Sequence, residues 1–323
     1  MSFWRDKSVL VTGATGLVGS WLVHELIKQG SNVTALVLDS DPESQLFRSG
    51  DIERISVVNG NLATYRDVAR SLYTNDCTVV FHLGAQTIVG TALLDPISTF
   101  ESNIQGTWNL LEAVRQSQGM VKAVVVASSD KAYGSSENLP YGEDHPLHGD
   151  GPYDVSKSCT DLIAQSYGNT YGLPVTIARC GNIYGGGDLN WSRIVPGTIR
   201  DLLLKKRPVL RSDGTFIRDY IHVDDVISGY MKLAEVSEEK KLNGEAFNFS
   251  RNEPLSVNAL YESICQSTVG FYVQPLILDT ATSEIKDQHL DCAKAKSVLN
   301  WVSDVSINDG LTKTVDWYRG YLL

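Results

Sequence analysis

The sequence predicts a doubly wound α/β fold, in which a parallel sheet is covered by helices on both faces. Two observations carry this prediction. Short runs such as Val124–Val126 are apolar at every position, which is typical of parallel strands buried on both faces. These runs alternate with longer segments, such as 17–30, in which apolar residues recur at helical spacing. The 323 residues suffice for one large domain or two modest ones.

The elements follow one another regularly over the first half of the chain. We expect strands at 8–14, 32–39, 55–61, 77–85, 121–129 and 173–185, and helices at 17–30, 65–74, 97–118 and 152–172. Beyond residue 180 the rhythm changes. Helices predicted at 193–205, 223–236, 256–268 and 306–321, with a strand at 208–214, indicate a smaller α/β lobe. We therefore expect a dinucleotide-binding type of domain at 1–180 and a second lobe at 181–323, with an interleaved boundary.

Composition and charge exclude several classes of partner. The net charge of −10 disfavours binding to nucleic acid or to an anionic membrane surface. No apolar run approaches the roughly 18–20 residues that span a bilayer. The five cysteines show no CxxC spacing, which is typical of reduced thiols in a cytoplasmic protein. We expect no metal, because the six histidines show no ligand spacing.

A glycine-rich turn connects the first strand to the first helix. Its residues are Gly13, Thr15, Gly16, Leu17, Val18 and Gly19, with Ala14 between the first two. Glycines at this point permit a tight turn and let a pyrophosphate approach the N–H groups at the helix N-terminus. Asp39 lies 20 residues after Gly19, the separation expected for a carboxylate on an adenosine ribose. No Arg or Lys stands between it and Arg48 to hold a 2′-phosphate, so we predict NAD rather than NADP.

A second motif, Tyr153-Asp-Val-Ser-Lys157, places a phenol and an amine one helical turn apart. Lys157 and an oxidised nicotinamide both favour the phenolate, which lowers the pKa of Tyr153 toward the working range of a base. Ser128 or Ser129, at the end of the preceding strand, can bridge the substrate hydroxyl to that phenolate. We therefore predict catalytic roles for Ser129, Tyr153 and Lys157.

The glycine spacing and the YxxxK motif together resemble the short-chain dehydrogenase/reductase superfamily. Four further segments resemble its extended members, which act on nucleotide sugars: His82-Leu-Gly-Ala-Gln86, Asn103-Ile-Gln-Gly-Thr107, Arg179-Cys-Gly-Asn-Ile-Tyr-Gly185 and Arg218-Asp-Tyr-Ile-His-Val-Asp-Asp225. The resemblance implies a Rossmann fold, an NAD cofactor and a nucleotide-diphosphate sugar as substrate. It implies cofactor contacts from Asn61, Leu62, Leu83, Gly84, Ala85, Gln86, Asn103, Ser128, Tyr153 and Lys157, and substrate contacts from Gln86, Asn182, Arg193, Val195 and Arg218. Whether His82 and Asn103 instead serve as satisfied polar groups of the core is left open.

The segment Ser129-Asp130-Lys131 bears on the reaction, because it resembles the motif of CDP-glucose 4,6-dehydratases. That resemblance implies a lyase in which Asp130 protonates the departing C6 hydroxyl and Lys131 removes the C5 proton. The alternatives are a nucleotide-sugar 4-epimerase and a non-catalytic NAD-binding module. Adjacent residues of a strand point to opposite faces, so both side chains reach one sugar only if the strand ends near Ser129.

The resemblance also implies a homodimer. Relatives with this topology dimerise by packing two helices of each subunit together. Here those helices would be 97–118 and 152–172, with Trp108 or Leu110 in the interface of a cytoplasmic homodimer.

Overall fold

The computed structural model describes residues 2–279 and 285–323, and its centre is a parallel sheet. In the described residues this sheet has seven strands, ordered β11-β6-β5-β4-β1-β2-β3. Their bounds are β1 (Ser8–Thr12), β2 (Asn32–Val37), β3 (Ser56–Asn59), β4 (Val79–His82), β5 (Ala123–Ala127), β6 (Val175–Cys180) and β11 (Ala246–Phe249). The strand order changes direction between β1 and β4, because β2 and β3 follow on one side of β1 and β4, β5 and β6 on the other. Sheets of this kind bind ligands at such a point, beyond the carboxyl ends of the strands.

Helices cover both faces, because alternate residues of each strand enter different cores. Val9 of β1 lies in one core with Leu22 and Val226, whereas Leu10 lies in the other core with Val68. The helices are α1 (Leu17–Lys28), α2 (Gln45–Arg48), α3 (Tyr65–Tyr73), α4 (Val89–Leu94), α5 (Pro96–Phe100), α6 (Gly106–Gln116), α7 (Pro152–Tyr171), α8 (Ile194–Leu203), α9 (Val223–Lys240), α10 (Val257–Val269) and α11 (Ile307–Leu322). The predicted doubly wound fold is thereby confirmed.

A third core lies in the C-terminal part, where α8, α10 and α11 pack together. Short strands accompany these helices: β7 (Asn182–Tyr184), β8 (Val209–Leu210), β9 (Ile217–Arg218), β10 (Tyr220–His222), β12 (Leu255–Ser256), β13 (Leu276–Ile277) and β14 (Asp287–Gln288). They pair as β7 with β10, β8 with β13, and β9 with both β12 and β14. The returning strand β11 means that the segment 181–323 also contributes to the main sheet. Among the described residues, no helix is long and apolar enough to cross a membrane.

Two predicted elements differ from the structure, and one strand of the main sheet was not predicted. The helix expected at 97–118 is α5 and α6, joined by a π-helical turn at Glu101–Gln105. The strand expected at 173–185 is two strands, since β7 leaves the main sheet and pairs with β10. Strand β11 was not predicted, because its four residues include a polar Asn248 that interrupts the apolar run.

Candidate active site

The glycine turn brings the ends of β1 and β4 into close contact. Gly13 has a φ of 73°, and a Cβ added there would lie 2.7 Å from the Gly84 nitrogen. A Cβ on Gly19 would lie 2.1 Å from the Gly13 oxygen, so the backbone of α1 approaches the turn closely. Gly16 precedes α1 without a side-chain cap, which leaves the first-turn N–H groups of Leu17 and its successors to an anion. This cradle fits a pyrophosphate.

Polar side chains behind the turn fix the two strand ends relative to each other. Thr12 Oγ1 accepts hydrogen bonds from the N–H groups of Leu83 and Gly84 at 3.1 and 3.0 Å. It also pairs with His82 Nδ1 at 2.9 Å, while His82 Nε2 lies 3.2 Å from Thr107 Oγ1. Burial, followed by the charge of Lys157, lowers the pKa of His82 to about 3. His82 is thus a neutral core group whose two ring nitrogens both have hydrogen-bond partners, which was one of the two interpretations that the sequence allowed.

The predicted adenosine side is formed by the segments after β2 and β3. Asp39 is exposed two residues beyond β2. Asn61 accepts from the N–H of Ala63 at 2.9 Å and so shapes its own turn. Leu62 packs beneath Gly84, whose added Cβ would lie 2.6 Å from the Leu62 Cδ1. All these residues lie at the carboxyl edge of the sheet, as parallel strands require, and their contacts to NAD remain predictions.

Asn103 supports the segment after β4. Its Oδ1 accepts from the N–H of Gln86 at 2.7 Å, and its Nδ2 donates to the Gln86 oxygen at 3.0 Å and to Ser156 Oγ at 2.8 Å. The side chain is buried in the π-helical turn between α5 and α6. Asn103 therefore positions Leu83–Gln86 from behind, and its predicted contact with the cofactor is not tested by this geometry.

Strand β5 ends at Ala127, and the chain turns directly after Ser129. Asp130–Tyr133 forms a single 3₁₀ turn, with Ser129 Oγ accepting from the Lys131 N–H at 3.2 Å. Ser129 Oγ also donates to Asp130 Oδ1 at 3.0 Å. Asp130 Oδ2 and Ser128 Oγ are buried and have no hydrogen-bond partner among residues 2–279 and 285–323. Buried polar atoms of this kind are rare and point to a ligand.

The side chain of Lys131 reaches the C-terminal part of the chain. Its Nζ donates to Oε1 of Gln288 in β14, and Gln288 Nε2 donates to the Asp130 oxygen at 2.9 Å. Lys131 also faces Asp154, the residue after Tyr153, because its charge lowers the pKa of that carboxyl. Burial outweighs this effect and raises the pKa of Asp154 to about 6. Lys131 therefore lies between the start of α7 and β14.

Tyr153 and Lys157 lie one turn apart at the start of α7. Burial raises the pKa of Tyr153 to about 12, opposed by a hydrogen bond with Ser129 and by the charge of Arg193, and reinforced by Asp130. Lys157 Nζ donates to the Ala127 oxygen at 2.8 Å, and burial lowers the pKa of Lys157 to about 8. Burial therefore favours the protonated phenol in the protein alone, and the catalytic roles of Tyr153 and Lys157 stay predictions.

The predicted substrate residues of the C-terminal part differ in their surroundings. Arg193 precedes α8, binds Asp188 at 3.0 Å and lies 3.4 Å from Thr87 Oγ1. Its charge reaches Tyr153, so it faces the candidate site. Arg218, by contrast, is buried and donates to the oxygens of Ile217, Ile285 and Lys286. Asn182 lies in β7, and Val195 is buried in the first turn of α8.

Two residues beside the site were not predicted. Asp154 was signalled by its place inside the YxxxK motif, next to Tyr153. Gln288 carried no signal, because it lies 157 residues beyond Lys131 on a two-residue strand.

On the outer face, Trp108 is 44% exposed, as an interface residue requires, but Leu110 is fully buried in this chain's own core. The expectation that Leu110 lies in an interface is therefore wrong.

Comparison with known proteins agrees with this geometry. A model of the NAD dependent epimerase/dehydratase family matches residues 9–249. The chain belongs to this family. The CDP-glucose 4,6-dehydratase of Salmonella typhimurium is 30% identical over 348 residues, which cover 99% of this chain and 93% of that protein. Family membership confirms the predicted fold and the predicted cofactor, NAD.

Solved structures of the family include both reaction types. A dTDP-glucose 4,6-dehydratase from Streptomyces venezuelae with NAD bound has a TM-score of 0.85 at 28% identity, covering 97% of each chain. A UDP-glucose 4-epimerase from Thermotoga maritima with UDP-glucose has a TM-score of 0.87 at 26% identity, covering 98% of this chain and 100% of that one. The backbone similarity is almost equal, so the reaction has to be decided by side chains of the site.

Proposed function

We propose that this protein is an NAD-dependent nucleotide-sugar 4,6-dehydratase. One observation carries the proposal: the chain turns directly after Ser129, so Asp130 and Lys131 are not divided between the two faces of a strand. Both side chains act electrostatically on the first turn of α7, which carries Tyr153. An acid and a base beside the phenol are what elimination requires and what inversion at C4 does not use.

The cofactor would be held by the glycine turn, by Asp39 at the ribose and by Lys157 at the nicotinamide side. When bound, NAD supplies an acceptor for the hydride of C4 and a donor of hydride to C6. Tyr153, as phenolate, takes the proton of the C4 hydroxyl, with Ser129 hydrogen-bonded to both oxygens. The resulting 4-ketone acidifies C5, from which Lys131 removes a proton. Asp130, in its acid form, would give a proton to the C6 hydroxyl, which leaves as water while a C5–C6 double bond forms. Once C6 has received the hydride, the Lys131 ammonium, after exchange with solvent, would return a proton to C5.

The proposal is tested by running the reaction in heavy water with CDP-glucose, the substrate named for the Salmonella relative. A dehydratase yields a 4-keto-6-deoxy sugar that carries solvent deuterium at C5. dTDP-, GDP- and UDP-glucose form the rest of the panel, because the nucleotide base is not decided by the residues described. A 4-keto-6-deoxy product without deuterium at C5 would refute the removal of the C5 proton by a base that exchanges with solvent, the role given to Lys131.

Two matched variants locate the base. Lys131→Met removes the amine at nearly constant length and should reduce turnover by about 10²–10⁴-fold, the usual contribution of a general base. Lys122→Met removes an exposed lysine just before β5 and should leave turnover unchanged. Reduced NAD, seen by its absorbance, should accumulate in Lys131→Met because C4 oxidation is still possible. Full turnover in that variant would exclude Lys131 as the base.

A 4-epimerase is the second candidate, favoured by the similarity to the Thermotoga epimerase and by the fact that Ser129, Tyr153 and Lys157 suffice for inversion at C4. An epimerase converts a glucosyl to a galactosyl nucleotide and leaves C5 unlabelled in heavy water. That product pattern would replace the dehydratase proposal. Absence of turnover on the whole panel, with NAD still bound, would instead favour the non-catalytic module.

We further propose a homodimer formed through α5, α6 and α7. Exposed apolar side chains support this surface: Trp108 on α6, Ile97 on α5 and Leu162 on α7 are all more than 40% exposed. We also propose that the chain divides into two lobes near residue 180 and that the protein is cytoplasmic. These two proposals are supported by the sequence pattern alone.

A further inference from the structure

The side chain of Gln288 connects the C-terminal part of the chain to the Lys131 amine. It lies in β14, which runs parallel to β9 with Gln288 opposite Arg218. Its side chain is 0% exposed. Buried amides are retained in proteins when both of their ends are hydrogen-bonded, and here both ends engage the turn at Asp130–Tyr133.

The two bonds fix the orientation of the amide. Nε2 donates to the Asp130 backbone oxygen at 2.9 Å, and an amide nitrogen cannot accept in return. Oε1 is therefore the end directed at Lys131, and it accepts from Nζ. Because the carbonyl end cannot exchange with the donor end without losing the Asp130 contact, Lys131 always meets an acceptor.

The acceptor that Lys131 meets is neutral. A base must lose its proton before it acts, and a carboxylate in this place would hold the amine in its ammonium form. An amide oxygen accepts an N–H from either form and leaves the lone pair of the neutral amine free. The charged groups near this turn include Asp130 within it, Asp154 on α7 and the buried Asp219 that follows β9. Arg218 on β9 lies opposite Gln288, and another carboxylate would add to the three already present.

Resting on the dehydratase function proposed above, we propose that Gln288 is a positioning residue for the elimination step. It holds Lys131 through a neutral acceptor and fixes the turn that carries Asp130, and it thereby favours elimination over simple inversion at C4. The contact joins residues 157 positions apart, so Lys131 is held in this way only when the C-terminal segment has folded back against the turn at Asp130–Tyr133.

The test uses the NAD-loaded protein and a readout that needs no turnover. Acylation of Lys131 by acetic anhydride is followed across pH by mass spectrometry of the Lys131 peptide. In Gln288→Glu, which keeps the size of the side chain, the midpoint of acylation should move up by one pH unit or more, which is about tenfold less free amine at a given pH. Gln274→Glu adds the same charge at an exposed position of the C-terminal part and should not move it.

Kinetics separate positioning from mere structural support. Gln288→Glu should lower kcat about tenfold or more at neutral pH with KM within about twofold, and alkaline pH should restore kcat. Gln288→Leu, which has no acceptor, should lower kcat at every pH. An unmoved acylation midpoint in Gln288→Glu, or a loss confined to KM, would overturn the proposal. A moved midpoint in a protein that forms a galactosyl nucleotide with no deuterium at C5 would instead overturn the dehydratase function and leave the Gln288 contact standing.

Discussion

The buried ion pair between Asp161 and Arg179 gives the most direct test of what holds the active-site helix to the sheet. Asp161 lies on α7, one turn after Lys157, and Arg179 lies on β6. Two parallel bonds join them, Nε to Oδ2 at 2.8 Å and Nη2 to Oδ1 at 2.9 Å. The remaining Nη1 donates to the Tyr133 hydroxyl at 2.8 Å, at the end of the turn that carries Lys131.

Asp161→Asn keeps the shape of the side chain but leaves the guanidinium buried without its counter-charge. An arginine cannot relieve this by losing its proton, because its pKa is too high. Breaking a buried pair by neutralising one partner costs about 3–5 kcal/mol. With an unfolding entropy of about 2.1 cal/mol/K per residue, 323 residues give about 0.7 kcal/mol/K, so Tm should fall by about 4–7 °C.

The assay is urea unfolding at pH 7 together with calorimetry, and the control is Asp201→Asn. Asp201 forms a similar pair with Arg200 on α8 at 2.9 Å, but that pair is partly exposed. Its loss should change the free energy of unfolding by about 0–1 kcal/mol. Equal and small effects of the two substitutions would refute the reasoning that burial makes the Asp161 pair essential.

Three further changes test other parts of the molecule. Gly19→Ala places a Cβ 2.1 Å from the Gly13 oxygen, so the free energy of unfolding should fall by about 1–3 kcal/mol, and the affinity for NAD measured by calorimetry should fall too. Gly320→Ala is the control: no heavy atom lies within 4 Å of its added Cβ, and its free energy of unfolding should rise by up to about 1 kcal/mol. Burial raises the pKa of Asp219 from 3.8 to about 6, so between these values the folded protein keeps a proton that the unfolded chain has lost. The free energy of unfolding should therefore fall by up to about 3 kcal/mol as the pH rises from about 4 to about 6, and urea titrations of Asp219→Asn should lack this fall. Trp108→Glu should convert the proposed homodimer to a monomer in light scattering without lowering Tm; an unchanged mass would place the interface elsewhere.

The sheet and the strand-end residues could be predicted because parallel topology leaves a strong local signal. Strands buried on both faces are apolar throughout, and their carboxyl ends meet at one edge, so the glycine turn, Asp39 and Ser129 had to come together. Strand β11 gave no such signal, because Asn248 occupies its centre. That side chain is buried and accepts from the Tyr133 hydroxyl at 2.8 Å, a tertiary contact invisible to a local pattern.

The π-helical turn at Glu101–Gln105 escaped prediction for a similar reason. Periodicity counts residues on an ideal helix, and one widened turn shifts the count without changing composition. Its cause is again tertiary, since the turn directs Asn103 at the backbone of Gln86 and at Ser156. Gln288 is the extreme case, because nothing near it in sequence indicates that it meets Lys131.

The same reasoning explains why one fold serves both inversion and elimination. Under the proposed function, oxidation at C4 uses the glycine turn, Tyr153 and Lys157, all of which lie on the sheet and its flanking helices. Elimination adds two proton transfers, at C5 and at the C6 hydroxyl, and these need groups on a segment that leaves the sheet. In this chain that segment is the turn after Ser129, and its partner Gln288 comes from β14, outside the main sheet. Under the proposed function, substitutions in either segment would redirect the 4-ketone while fold and cofactor binding persist.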